Sequence, residues 1–212
     1  MNLVQRGYHR ARNILFQIED YKIMSIAQVI QLYFPFATGR RKAQEVLLKL
    51  HRKGKLERWR GEEGYCYSLE PKTGRADHTV LVNWCRIWFE KRLKSWEGIH
   101  RFVYEDDYGF LRSDAFVAIK NKTTGKLKFW FVEADLSKNK FDKVSKYNKL
   151  LEQINQGKLE RWWIKLTDGF PWILVVTTTQ ARKEKILSHI AEENKHGLEF
   201  RVYTLDELKG EL

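Results

Sequence analysis

Three acids near the ends of two apolar runs constrain this chain more than any other feature of its sequence. Asp114 opens an alternating run with Ala115, Val117 and Ile119, and Glu133 and Asp135 close the run Phe129-Trp-Phe-Val-Glu133-Ala-Asp135, so both read as β-strands. If the two strands are neighbours, three carboxylates converge, and hard oxygen ligands of that kind suit Mg²⁺ or Mn²⁺. The helix expected over residues 140–154 brings Lys143 and Tyr147, one turn apart, to its apolar side with Val144, Leu151 and Ile154. The competing reading is an ordinary solvated strand end made of Glu133, Asp135 and Lys138.

The whole chain of 212 residues is long enough for one large domain or two small ones, and 43% hydrophobic residues suffice for packed cores. A net charge of +12 favours a polyanionic partner, nucleic acid before membrane, although a solvated basic surface gives the same number. No run approaches the ~18 apolar residues of a membrane span, and Arg6, Arg10 and Arg12 interrupt the first apolar residues where a signal peptide would have its core. The expectation is a cytoplasmic protein without membrane contact. Cys66 and Cys85 lack metal-ligand spacing and read as buried structural thiols, while His189 and His196 read as surface residues.

The basic excess is concentrated at the front. Residues 1–75 hold 15 Lys and Arg against 7 Asp and Glu, a balance of +8, whereas the remainder holds 24 against 20, a balance of +4. In the same stretch Ala11, Ile14, Leu15 and Ile18 recur at helical spacing, as do Ile26, Val29, Ile30 and Tyr33 behind a Ser25/Gln28 capping box. Pro35 ends the second helix, Thr38 can cap a third, Ala43, Val46, Leu47 and Leu50 form its apolar face, and Gly54 stops it.

The opposite face of that third helix carries Arg40, Arg41, Lys42, Gln44, Lys49 and Arg52, side-chain types that reach base edges and neutralise phosphates. Two strands, 56–60 with Arg58 and Arg60 and then 65–69, flank a Gly-Glu-Glu-Gly turn, and Trp59, Tyr65 and Tyr67 there could stack on bases. The order helix, helix, helix, hairpin resembles the winged helix-turn-helix family. What the resemblance implies is a double-stranded DNA partner. A small basic domain used for protein contacts would give a similar pattern.

Residues 71–76 have the composition of a linker, dividing an expected domain 1–70 from a second at 77–212. Behind Asp77, a candidate N-cap, the second part reads as a helix, strands at 99–105, 110–119 and 127–134, a helix, a buried strand at 170–177, a helix at 180–193 and a strand at 198–203. Strands alternating with helices imply parallel pairing there, an α/β pattern within a chain that is α+β overall.

That αβββαβ order, with an acid on the second strand and Glu133-x-Asp135 on the third, resembles the restriction-endonuclease-like core of the PD-(D/E)xK nuclease superfamily. By that likeness Asp114 and Glu133 match the metal-binding acids, Asp135 stands where the family usually keeps a lysine, and Lys143 can supply that cation from the next helix. By the same likeness the expected metal site is Asp114, Glu133 and Asp135 with Mg²⁺ or Mn²⁺, and with Lys143 it would hydrolyse a phosphodiester. The combination of both halves, with Lys143-x-x-x-Tyr147 and Phe170-Pro-Trp-Ile-Leu-Val-Val-Thr177, resembles the replication-relaxation family of plasmids and phages. The resemblance implies DNA binding and an accessory role in replication. Two other readings stay open: an active metal-dependent DNA endonuclease, and a winged-helix transcriptional regulator whose inactive nuclease-like half senses a signal or forms a homodimer.

Overall fold

The computed structural model describes residues 3–136 and 139–212, with the side chains of residues 3, 4 and 6 left out; Lys138 and the side chain of Arg6 therefore lie outside the described residues. The chain is mixed α/β, with seven α-helices and two sheets among the described residues, and it divides into two compact units, 1–83 and 84–212. Residues 71–75 hold neither helix nor strand, and the division itself falls between Asn83 and Trp84, inside a continuous helix.

The first unit begins with helix α1 (Leu3–Tyr21), whose Ile14, Ile18 and Tyr21 are buried as the spacing requires. A short strand β1 (Ile23–Ser25) follows, which the sequence reading lacks. Helix α2 (Ile26–Tyr33) starts at the expected capping box: Ser25 Oγ accepts from the Gln28 amide at 3.2 Å, and the Ser25 amide donates to Gln28 Oε1 at 2.9 Å.

Helix α3 (Gly39–Arg52) buries Ala43, Leu47 and Leu50. Thr38 precedes it but makes no side-chain capping bond, so the expected cap is absent. The tight approach is made by Gly39 instead, where a Cβ would lie 1.9 Å from the Phe34 carbonyl oxygen, so only glycine fits. Strands β2 (Glu57–Gly61) and β3 (Gly64–Ser68) form the expected hairpin, and β1 adds to it in the antiparallel order β1-β3-β2.

Helix α4 (Ala76–Arg92) starts one residue before Asp77, which therefore lies in the first turn and is not the N-cap. Buried Asn83 on this helix donates to the carbonyls of Tyr21 and Ile23, and Gln28 Nε2 donates to the Val80 carbonyl at 2.7 Å, satisfying polar groups inside the first unit.

The second unit is built on a sheet of five strands in the order β4-β5-β6-β7-β8: β4 (Glu97–Asp107), β5 (Arg112–Asn121), β6 (Leu127–Asp135), β7 (Trp172–Thr177) and β8 (Phe200–Thr204). Pairing is antiparallel from β4 to β6 and parallel from β6 to β8, so the expected parallel half is present. Helices α5 (Lys143–Asn155) and α6 (Gln180–Glu193) supply Tyr147, Leu150 and Ile186 to a buried cluster with Phe116, Phe131, Trp163 and Ile173. Trp88 and Phe89 of α4 pack on Trp130, the neighbour of Phe131 in the strand and hence on the opposite face. A last helix α7 (Leu205–Gly210) begins at a Thr204/Glu207 capping box.

Candidate functional site

Strand alternation places Phe131, Glu133 and Asp135 on one face of β6, and the pairing Ala115 with Val132, carried one residue further, sets Asp114 across from Glu133. The two acids expected together on neighbouring strands are therefore neighbours. Neither Glu133 nor Asp135 belongs to a solvated strand end, since they are only 2% and 8% exposed.

Glu133 is held by two groups from α5, both at the positions anticipated from helix spacing. Tyr147 donates its hydroxyl to Glu133 Oε1 at 2.6 Å, and Lys143 Nζ lies 2.8 Å from Glu133 Oε2 while also donating to the Arg112 carbonyl. Burial, with the negative charge of Asp114 adding to it, pushes the Glu133 carboxyl up to about 8, against the opposing pull of Lys143 and Tyr147. The Tyr147 hydroxyl is pushed well above its ordinary value by burial first and by Glu133 second. A carboxyl poised near neutrality beside a lysine has the properties of a proton-transfer group, and it equally suits a buried structural pair.

Asp135 is engaged differently from the sequence expectation. Arg182 of α6 reaches it, Nε to Oδ2 at 2.6 Å, with both side chains largely enclosed. Sequence reading missed Arg182 because no local pattern links residues on separate elements so far apart in the chain. Asp114, half-buried, accepts the Ala134 amide on Oδ2 at 2.8 Å.

These contacts decide whether the three acids fit a divalent metal. Both oxygens of Glu133 and one of Asp135 face cationic or hydroxyl donors, and among the described residues no three His, Cys, Asp or Glu side chains are grouped to hold a metal ion. The expected three-acid Mg²⁺ or Mn²⁺ site from Asp114, Glu133 and Asp135 does not fit this arrangement. The physical reason is the engagement of the oxygens: Lys143 and Tyr147 take both of Glu133, Arg182 takes Oδ2 of Asp135, and the Ala134 amide takes Oδ2 of Asp114.

In the first unit, Arg40, Gln44, Lys49 and Arg52 are exposed on α3, and Arg60 is exposed on β2. Among the described residues none of these four cations forms an ion pair. Arg41 and Lys42 share Glu45, at 3.6 and 3.2 Å, in exposed pairs that water and salt loosen. Arg58 is partly buried, its guanidinium 3.5 Å over the Tyr65 ring and its Nε enclosed. Tyr67 is a correction, being 2% exposed and so closed to base stacking, whereas Tyr65 remains 41% exposed.

Cys66 and Cys85 are buried thiols outside any disulfide, as expected, and burial raises both, Cys66 to about 11. No described helix is long and apolar enough to cross a membrane. Comparison with family models, with curated proteins and with solved structures gives no match.

Proposed function

We propose that the chain is a DNA-binding accessory protein of plasmid or phage replication, with a winged helix at the front and a PD-(D/E)xK-like core behind it. The observation that carries DNA binding is the outer face of α3, where Arg40, Lys49 and Arg52 stand exposed and without ion pairs among the described residues. Cations placed that way can neutralise phosphates, and Gln44 between them can read a base edge. The winged-helix reading is supported by the hairpin following α3 and by the antiparallel order β1-β3-β2. The nuclease-like reading of the core is supported by α4-β4-β5-β6-α5-β7-α6-β8 with acids on its second and third strands. The replication role rests on the resemblance of the sequence to the replication-relaxation family.

Cleavage is not part of this proposal, because Lys143, Tyr147 and Arg182 engage the carboxyl oxygens that a metal-dependent reaction would need. That observation also favours a second reading, a winged-helix transcriptional regulator whose nuclease-like half is inactive. Both readings place a double-stranded DNA contact on α3. Duplex binding by the full chain, compared with the Arg40→Ala/Arg41→Ala double variant, tests it: a large loss supports the docking, and unchanged affinity removes it.

A further inference from the structure

A cavity of about 450 Å³ opens in the second unit at the start of β6 and β7, the opposite end of these strands from Glu133 and Asp135. Its volume is that of a small-molecule site. Its walls are aromatic: Trp130 and Trp172, paired across the parallel strands, have rings 4.6 Å apart in an edge arrangement, and Trp88 stands 6.2 Å from Trp130. Trp172 keeps 40% of its surface exposed while lining the cavity, which leaves aromatic surface for a flat ring to pack against.

The charge in this cavity is placed on those rings. Arg201 of β8 lies 4.2 Å from the Trp172 centroid and 5.3 Å from that of Trp130, and it makes no ion pair among the described residues. The other cations of the wall each have a carboxylate beside them, Arg92 with Glu211 at 2.8 Å and Lys128 with Glu97 at 3.3 Å, both cations on exposed side chains. Arg201 is the cation of this wall that rests on aromatic rings and has no carboxylate partner among the described residues, which suits it to receive an anion. Asp168 adds a carboxylate to the lining, an acceptor for a sugar hydroxyl or a base amine, while the Thr167 hydroxyl is engaged with the Gly169 backbone.

We propose that this cavity binds one nucleotide, its base against Trp172 and its phosphate on Arg201. A free nucleotide and an unpaired nucleotide within a strand present the same chemistry. The site is separate from α3 and does not depend on duplex binding there.

The test titrates the full chain with adenosine monophosphate, followed by tryptophan fluorescence, and in parallel with a fluorescein-labelled single-stranded oligodeoxyadenylate, followed by anisotropy. Wild type is compared with Trp172→Ala, Arg201→Ala, Arg201→Gln and the Arg40→Ala/Arg41→Ala double variant, each shown by circular dichroism to be folded. Saturable binding of the mononucleotide, weakened about tenfold or more by the cavity variants, supports a free nucleotide. Binding of the oligonucleotide alone, weakened by the cavity variants and untouched by the double variant, supports a nucleotide within a strand. Absence of saturable binding of both probes to wild type overturns the proposal. Binding that every folded cavity variant retains, or that only the double variant loses, overturns it as well, and the last result leaves the α3 reading intact.

Discussion

Lys143 Nζ lies 2.8 Å from Glu133 Oε2, joining the first turn of α5 to the end of β6. The lysine comes from the helix that follows the strand, and it meets a carboxyl that burial pushes up to about 8. The pair therefore couples the helix to the sheet in a way that depends on pH.

The sign of that dependence follows from proton counting. The ordinary value for this carboxyl is 4.5, so between about 4.5 and about 8 the folded state binds more protons at Glu133 than the unfolded state does. Its contribution to stability is complete below that window and declines as pH rises through it. Urea unfolding should show wild type losing stability from about pH 5 to about pH 8 relative to Glu133→Gln, which keeps an acceptor for Tyr147. Parallel pH profiles for the two proteins would rule out a raised Glu133.

Arg182 and Asp135 form an enclosed pair at 2.6 Å, with 14% and 7% of their side chains exposed. Removing the cation takes the guanidinium away from an enclosed carboxylate, a change that costs about 3–5 kcal/mol in comparable sites. Arg182→Ala should be destabilised on that scale in urea at neutral pH. A loss below about 1 kcal/mol would mean that Asp135 is readily solvated and the pair carries little.

The occupation of the acids by Lys143, Tyr147 and Arg182 predicts indifference to divalent metal. Mg²⁺ or Mn²⁺ at about 5 mM should leave the melting temperature within about 1 °C of its value in chelator, since a ligand stabilises only a state that binds it. Supercoiled plasmid should remain intact under the same conditions. A metal-dependent rise that disappears in Asp114→Ala and Glu133→Ala would restore the three-acid reading.

Much of this was legible in the sequence, for definable reasons. The Ser25/Gln28 capping box and the helical recurrence of Ile14 and Ile18 are local signals, and α6 was read with its observed limits, Gln180–Glu193. Strand periodicity put Asp114 and Glu133 near strand ends and helix periodicity put Lys143 and Tyr147 on one side of α5, while the pairing of β5 with β6 and the Tyr147–Glu133 bond came from the fold. Strand β1 escaped because three residues carry no period, and its partner β3 lies beyond two helices. Helix α7 escaped although Thr204 and Glu207 form a recognisable capping box. Arg182, and the meeting of Trp130, Trp172 and Arg201, had no local signal, because only the parallel pairing of β6, β7 and β8 brings them together.

The measurement that bears most directly on the proposed function is fluorescence anisotropy of a labelled DNA duplex titrated with the full chain over a range of salt concentrations. Wild type should bind with an affinity that falls steeply with salt, because α3 and the hairpin release counterions from several phosphates. Arg40→Ala/Arg41→Ala should bind at least about tenfold more weakly, with a log–log salt slope shallower by about 2, one for each cation removed. Equal affinity and an equal slope for the folded double variant would contradict DNA docking through α3.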